Sequence, residues 1–193
     1  MSVACAKQLS KPRMWANFDL TYTISPDGSV KVPLDWESKN LVTLKLPIPT
    51  GIIRGVRVHK RAAPVFQEWF RLWSPEVCRD VKTFGGSFVP RLMRAAKNLP
   101  STSNPTRDWN AFLSRHSRGI AMDLNHDFDG NHQGEKGVPP GLVGSVHRIA
   151  ELARTVRVPV TDPEGNSWEA GIVCGIDWGG KLVDPMHFEI GSW

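Results

Sequence analysis

Two short segments of the chain hold side chains that can bind a metal ion and move a proton. The first is Ser114-Arg115-His116-Ser117-Arg118-Gly119-Ile120-Ala121-Met122-Asp123; the second is Asp184-Pro185-Met186-His187-Phe188-Glu189. A catalytic zinc site takes three protein ligands, usually imidazole and carboxylate, and keeps a fourth position open. His116, Asp123 and His187 meet that requirement without a thiol. His116 and Asp123 stand seven residues apart around Gly119, a spacing consistent with a bend that brings both side chains to one centre. Asp184, three residues before His187, places a second carboxylate near the metal. Such a group can take a proton from water and later return it to a leaving amine. The spacing is not the helical H-E-x-x-H of other zinc proteases. Pro185 argues against a helix interior, so Asp184 is expected on a turn that enters the final strand. The sequence has only six histidines, and a lone histidine is usually a satisfied structural residue, so residue type alone leaves both roles open. His59, His126, His132 and His147 are given none.

Several elements must position these groups. Val65, Phe66, Trp69, Phe70 and Trp73 recur at helical spacing between Ala62 and Trp73, with Glu68 and Arg71 on the other face; this stripe reads as core. Phe84 to Pro90 breaks the helical pattern and leads into Arg91, and residues 97–113 read as a polar surface loop beside the site. A second amphipathic helix is predicted from about Leu142 to Val156. Two strands are predicted between Trp168 and Ile190, around the turn Trp178-Gly179-Gly180-Lys181. Upstream, Leu20–Ile24 and Ser29–Val32 alternate around Ser25-Pro26-Asp27-Gly28 and predict a hairpin. Leu41–Leu46 reads as a further strand stopped by Pro47. Helices interspersed with hairpins indicate an α+β domain, a small antiparallel sheet flanked by helices. With 193 residues, one catalytic domain is expected: residues 1–50 form a strand-rich N-terminal extension and residues from about 55 to 193 the core.

Bulk composition narrows the classes. A net charge of +5 and a pI near 9.3 draw the chain to anionic polymers. Long Lys/Arg blocks are absent, as is a recognisable helix-turn-helix, so a nucleic-acid partner is not expected. Cys5, Cys78 and Cys174 form no C-x-x-C pair, which argues against a disulfide framework or a cysteine zinc site. Eight Trp stand against one Tyr, and most are expected to be packing residues. The N-terminus lacks the apolar stretch of a signal peptide, and no run is long enough for a membrane span. Synthesis in the cytoplasm without membrane insertion is the expectation.

The paired motifs S-x-H-x-x-G-x-A-x-D and D-x-x-H-F, in this order and about sixty residues apart, resemble the zinc peptidases that include D-alanyl-D-alanine carboxypeptidases, D-Ala-D-Ala dipeptidases and L-alanyl-D-glutamate endopeptidases. The Trp178-Gly179-Gly180 turn is similar to the endopeptidase branch with its phage endolysins. The resemblance covers about residues 55 to 193; residues 1–50 match no family. It implies a Hedgehog/D-Ala-D-Ala-peptidase-like fold, zinc on His116, Asp123 and His187, and Asp184 as catalytic base. It further implies an upstream arginine holding the substrate carbonyl oxygen, with Arg91 the best match and Arg94 the runner-up. Ser114 matches the motif serine, for which binding substrate, supporting a ligand and capping a turn are alternatives. Trp178 is a second candidate for substrate binding. Where relatives often carry an aromatic residue, Ser117-Arg118 is expected to alter the pocket rim.

The activity so implied is hydrolysis of peptidoglycan stem peptides by a monomeric endolysin that reaches the wall once the membrane is breached. Cleavage of L-Ala-D-Glu is the first expectation and of D-Ala-D-Ala the second. A wall-binding or virion structural protein without catalysis is the alternative of another class. The run Asn125 to Asn131 contains D-x-D-G but lacks the glutamate of a calcium loop. It reads as a polar turn, with a regulatory Ca2+ near Asp127 and Asp129 as the lesser alternative.

Overall fold

A computed structural model describes residues 6–48, 55–93, 109–125, 138, 140–176 and 182–193. Arg94, Trp178 with its Gly-Gly turn, and the Asp127/Asp129 run lie outside the described residues. In chain order the elements are β1 (Lys7–Gln8), α1 (Lys11–Asn17), β2 (Thr23–Ile24), β3 (Val30–Lys31), α2 (Leu34–Asn40), β4 (Leu41–Leu44) and β5 (Val56–His59). They continue with α3 (Ala63–Arg71), α4 (Pro75–Asp80), β6 (Phe84–Gly86), β7 (Ala121–Leu124), α5 (Pro140–Thr155), β8 (Val158–Thr161), β9 (Ser167–Ile176) and β10 (Leu182–Ser192). Short 3-10 turns cover Trp109–Phe112 and Arg115–Arg118.

One antiparallel sheet runs in the order β6-β7-β10-β9-β8, with β1 also paired to β10. Two separate two-stranded sheets join β2 to β3 and β4 to β5. The molecule is thus α+β with small antiparallel sheets and helices. No described helix is long and apolar enough to cross a membrane.

The helical stripe of α3 behaves as its spacing demands. Val65, Phe66, Trp69, Phe70 and Trp73 are all buried, and Trp69 meets Phe188 of β10 with ring centroids 4.7 Å apart. Arg71 and Glu68 pair at 2.8 Å on the solvent side. In α5, Val146, Ile149, Ala150 and Ala153 turn inward. The N-terminal segment contributes Leu9, Met14, Phe18, Leu44 and Leu46 to the same buried cluster as α3, α5 and the large sheet. A smaller cluster joins Val30, Leu92 and Leu113 to Tyr22, Ile24, Trp109 and Phe112. The last part of the expected 97–113 surface loop is therefore a 3-10 turn packed on the N-terminal hairpin.

His59, at the end of β5, is 1% exposed. Phe18 meets its ring edge-on with centroids 5.2 Å apart, and its Nδ1 accepts a hydrogen bond from the Arg61 N–H at 3.2 Å. Burial, reinforced by the positive charges of Arg61, Lys60 and Arg118, pushes its pKa down to about 4. The folded protein therefore binds this proton less well than the unfolded chain does. His59 contributes stability that is complete above about pH 6.5 and lost as pH falls toward 4, amounting to about 3 kcal/mol. Denaturant titrations at pH 7 and pH 4.5 on the wild type and on His59→Phe check this. The wild type is expected to lose more stability than the variant, and parallel losses would refute the assignment.

Candidate metal centre

His116 reaches the centre from the 3-10 turn Arg115–Arg118. Ser114 caps that turn: its hydroxyl accepts from the His116 N–H at 3.3 Å, and its own N–H donates to the Arg91 carbonyl at 3.0 Å. Of the roles open to Ser114, capping is the one its geometry displays, with the side chain buried. Gly119 ends the turn in the left-handed region at φ 67°. A Cβ there would lie 2.8 Å from the His59 backbone nitrogen, so glycine is required both by the backbone angle and by the close strand. The chain then enters β7, which delivers Asp123.

His187 arrives from β10 directly across from Asp123 in the antiparallel register. Opposed residues on neighbouring strands place their side chains on the same face within a few ångströms. Asp123 Oδ1 lies 3.0 Å from His187 Nδ1 and 3.2 Å from His116 Nε2, and the two imidazole nitrogens are 3.3 Å apart. A tetrahedral ion with bonds of 2.0–2.1 Å has ligand-to-ligand edges of about 3.3 Å. The three donor atoms thus form a triangle of the size one such ion needs. His116, Asp123 and His187 are a group able to hold a metal ion. The donor set, two imidazoles and a carboxylate without sulfur, also suits zinc chemistry.

The electrostatics match. Burial opposes the charge on Asp123, yet its hydrogen bonds to His116 and His187 hold the carboxyl well below the usual carboxylate range. Burial likewise opposes the charged form of His187. Hydrogen bonds to Asp123 and Glu189 outweigh it and raise the pKa to about 10. His116 and Asp123 are buried, whereas the His187 side chain is 24% exposed, so the triangle opens to solvent on the His187 side.

Arg91 stands beside Asp123. Its Nη2 is 3.8 Å from Asp123 Oδ2, the oxygen not facing the histidines, and its side chain is about half exposed. Ser117 fixes its backbone: the Arg91 N–H donates to Ser117 Oγ at 2.9 Å, and that hydroxyl donates to the Arg91 carbonyl at 2.8 Å. The expectation that Ser117 and Arg118 shape a pocket rim is corrected here, because both are buried. Arg118 donates to the Phe18 carbonyl at 2.6 Å and to Asn110 Oδ1 at 3.2 Å, tying the turn to the N-terminal segment.

Asp184 departs from the expected turn, since it lies within β10. The register with β9 shifts between Leu182 and Asp184 and again between Asp184 and Phe188. Pro185, which lacks an N–H for the ladder, sits inside the second irregularity. A bulge of this kind frees Asp184 from strict alternation with His187, and bulges recur beside functional sites for this reason. A small, mainly apolar pocket runs along β7, α5 and this bulge, lined by Leu124, Asn125, Val138, Leu142, Val146, Pro185 and Met186.

Glu189 and Arg115 also belong to the centre although the motif analysis assigned them no role. Glu189 contacts His187, and Arg115 contacts Glu189. The signal for Glu189 was its position two residues after a candidate ligand in an extended strand. Nothing local signals its pairing with Arg115. Comparison of the chain with family models, with curated proteins and with solved structures gives no match.

Proposed function

We propose that this chain is a zinc-dependent peptidase of peptidoglycan stem peptides with a Hedgehog/D-Ala-D-Ala-peptidase-like fold, acting on the L-Ala-D-Glu bond as an endolysin does. The observation that carries the reading is the triangle of His116 Nε2, Asp123 Oδ1 and His187 Nδ1, with edges of 3.0 to 3.3 Å. The placement of Arg91 beside it supports the reading, as does the likeness of the two motifs to the peptidase family. The choice of bond rests on the Trp178-Gly179-Gly180 resemblance. The positive charge suits adsorption to wall anions.

Zinc on these three residues would supply a Lewis acid for the scissile carbonyl and lower the pKa of water at the open position. Asp184 accepts the proton of the attacking water as its oxygen bonds to the carbonyl carbon. Arg91 offers a fixed charge and N–H donors to the carbonyl oxygen as it becomes negative, the preorganised contribution that is usually largest. Asp184 then passes the proton to the departing amine as the C–N bond breaks. Ser117 holds the Arg91 backbone in place throughout.

The test is digestion of purified peptidoglycan, with released termini read by mass spectrometry. New C-terminal L-Ala and N-terminal D-Glu are expected, abolished by a chelator and restored by zinc. Released free D-Ala would move the activity to the carboxypeptidase branch. Intact peptidoglycan after incubation with zinc-loaded protein would overturn the enzymatic reading in favour of a wall-binding or structural role.

A further inference from the structure

His187 and Glu189 lie two residues apart on β10, so strand alternation places both on one sheet face, while Phe188 between them turns into the core against Trp69. On that face the Glu189 carboxylate, 2% exposed, puts Oε2 3.1 Å from His187 Nε2. The same oxygen accepts from Arg115 Nε at 2.8 Å. Arg115 in turn sets Nη2 3.5 Å from the Leu9 carbonyl and Nη1 3.5 Å from Met14 Sδ. Arg115 is also the residue before His116. A continuous run of contacts therefore joins the N-terminal segment, Arg115, Glu189 and His187.

We propose that Glu189 and Arg115 are positioning residues that aim His187 at the metal, with the Leu9–Met14 segment holding Arg115 in place. The inference rests on the metal-centre reading above. A histidine that ligates through one nitrogen needs the proton on the other, and a carboxylate at that nitrogen fixes both tautomer and ring direction. Glu189 accepts the Nε2 proton, which leaves the Nδ1 lone pair directed toward Asp123 and His116. A buried carboxylate is costly unless it is paired, and Arg115 supplies the pairing charge. Because Arg115 sits beside His116 and grips Glu189 beside His187, it also ties together two ligands delivered by distant parts of the chain.

The test measures zinc affinity, by competition with a chromogenic chelator, on full-length metal-free protein. The wild type, Glu189→Gln and Ile172→Val are compared, the last being a core change on β9 outside the centre. Glu189→Gln keeps the shape but removes the charge, and its zinc dissociation constant is expected to rise about 10- to 100-fold. The visible bands of its cobalt-loaded form should shift, while Ile172→Val keeps the affinity and spectrum of the wild type. Glu189→Gln with affinity within about twofold of wild type and an unchanged cobalt spectrum would overturn the proposal. If Glu189→Gln does not fold, Arg115→Lys serves instead. It keeps the charge without the planar fork, so weaker zinc binding is expected and unchanged affinity is the refuting result. A wild type that binds no zinc would remove the metal centre itself, whereas tight wild-type binding with unaltered variants would remove only the positioning role.

Discussion

His116→Ala is expected to yield a folded protein that retains no zinc through dialysis and cleaves no stem peptide above background. The imidazole supplies one corner of a triangle whose edges are 3.0 to 3.3 Å. Its removal leaves one imidazole and one carboxylate, short of the three protein ligands that a catalytic zinc requires. Loss of an outer partner alone costs about 10- to 100-fold in affinity, and loss of a ligand must exceed that. Asp123, buried and held in its charged form by both histidines, also forfeits a hydrogen bond. A loss of thermal stability of about 1–3 kcal/mol should accompany the loss of metal. Zinc content by atomic emission, circular dichroism and the peptidoglycan digest together decide the matter. A His116→Ala protein with stoichiometric zinc and wild-type turnover would show that the metal sits elsewhere.

Asp184→Asn is expected to do the opposite with zinc. The metal content stays at the wild-type level while turnover falls by about two to four orders of magnitude. Asn preserves the size of the side chain and can still occupy the bulge around Pro185, but it cannot accept a proton at neutral pH. None of the three corner atoms of the triangle comes from Asp184, so affinity for the ion should survive. The informative measurement is therefore a pair, zinc per chain and kcat on one preparation. Full-speed turnover with normal zinc would remove Asp184 from the chemistry. Loss of zinc together with turnover would recast it as a fourth ligand.

The degree to which such a site can be read in advance depends on where each contact is specified. The stripe of α3 was legible because Val65, Phe66, Trp69 and Phe70, with Trp73 just past the helix end, recur at helical spacing and all turn into the core. The strand β7 was not, since Ala121, Met122, Asp123 and Leu124 are all buried and a strand covered on both faces has no alternation to detect. That His116, Asp123 and His187 come together as a group able to hold an ion was legible from residue type, spacing and motif. The bulge at Asp184 was read as a turn, because Pro185 announces an interruption of hydrogen bonding without saying whether the strand resumes its old direction. Arg115 and Glu189 illustrate the remaining limit. Their pairing depends on how the 3-10 turn docks against β10, a three-dimensional outcome with no counterpart in local pattern. The N-terminal contribution was hidden for the same reason: Phe18 offers Arg118 a backbone carbonyl, which any residue type could supply.

The pairing of β1 with β10, Lys7 opposite Ser192, constrains the order in which the molecule can be built. During synthesis His116 and Asp123 leave the ribosome well before His187, and β7 has no β10 to pair with until residues 182–192 have been made. The strand that brings His187 opposite Asp123 also receives β1 and β7 along one edge and β9 along the other. Sheet closure, N-terminal docking and assembly of the candidate metal site are thereby concentrated into one long-range event, the kind of closure that slows folding. Zinc added to the refolding chain should then accelerate no early step, because the site it would occupy does not exist until the final strand is in place.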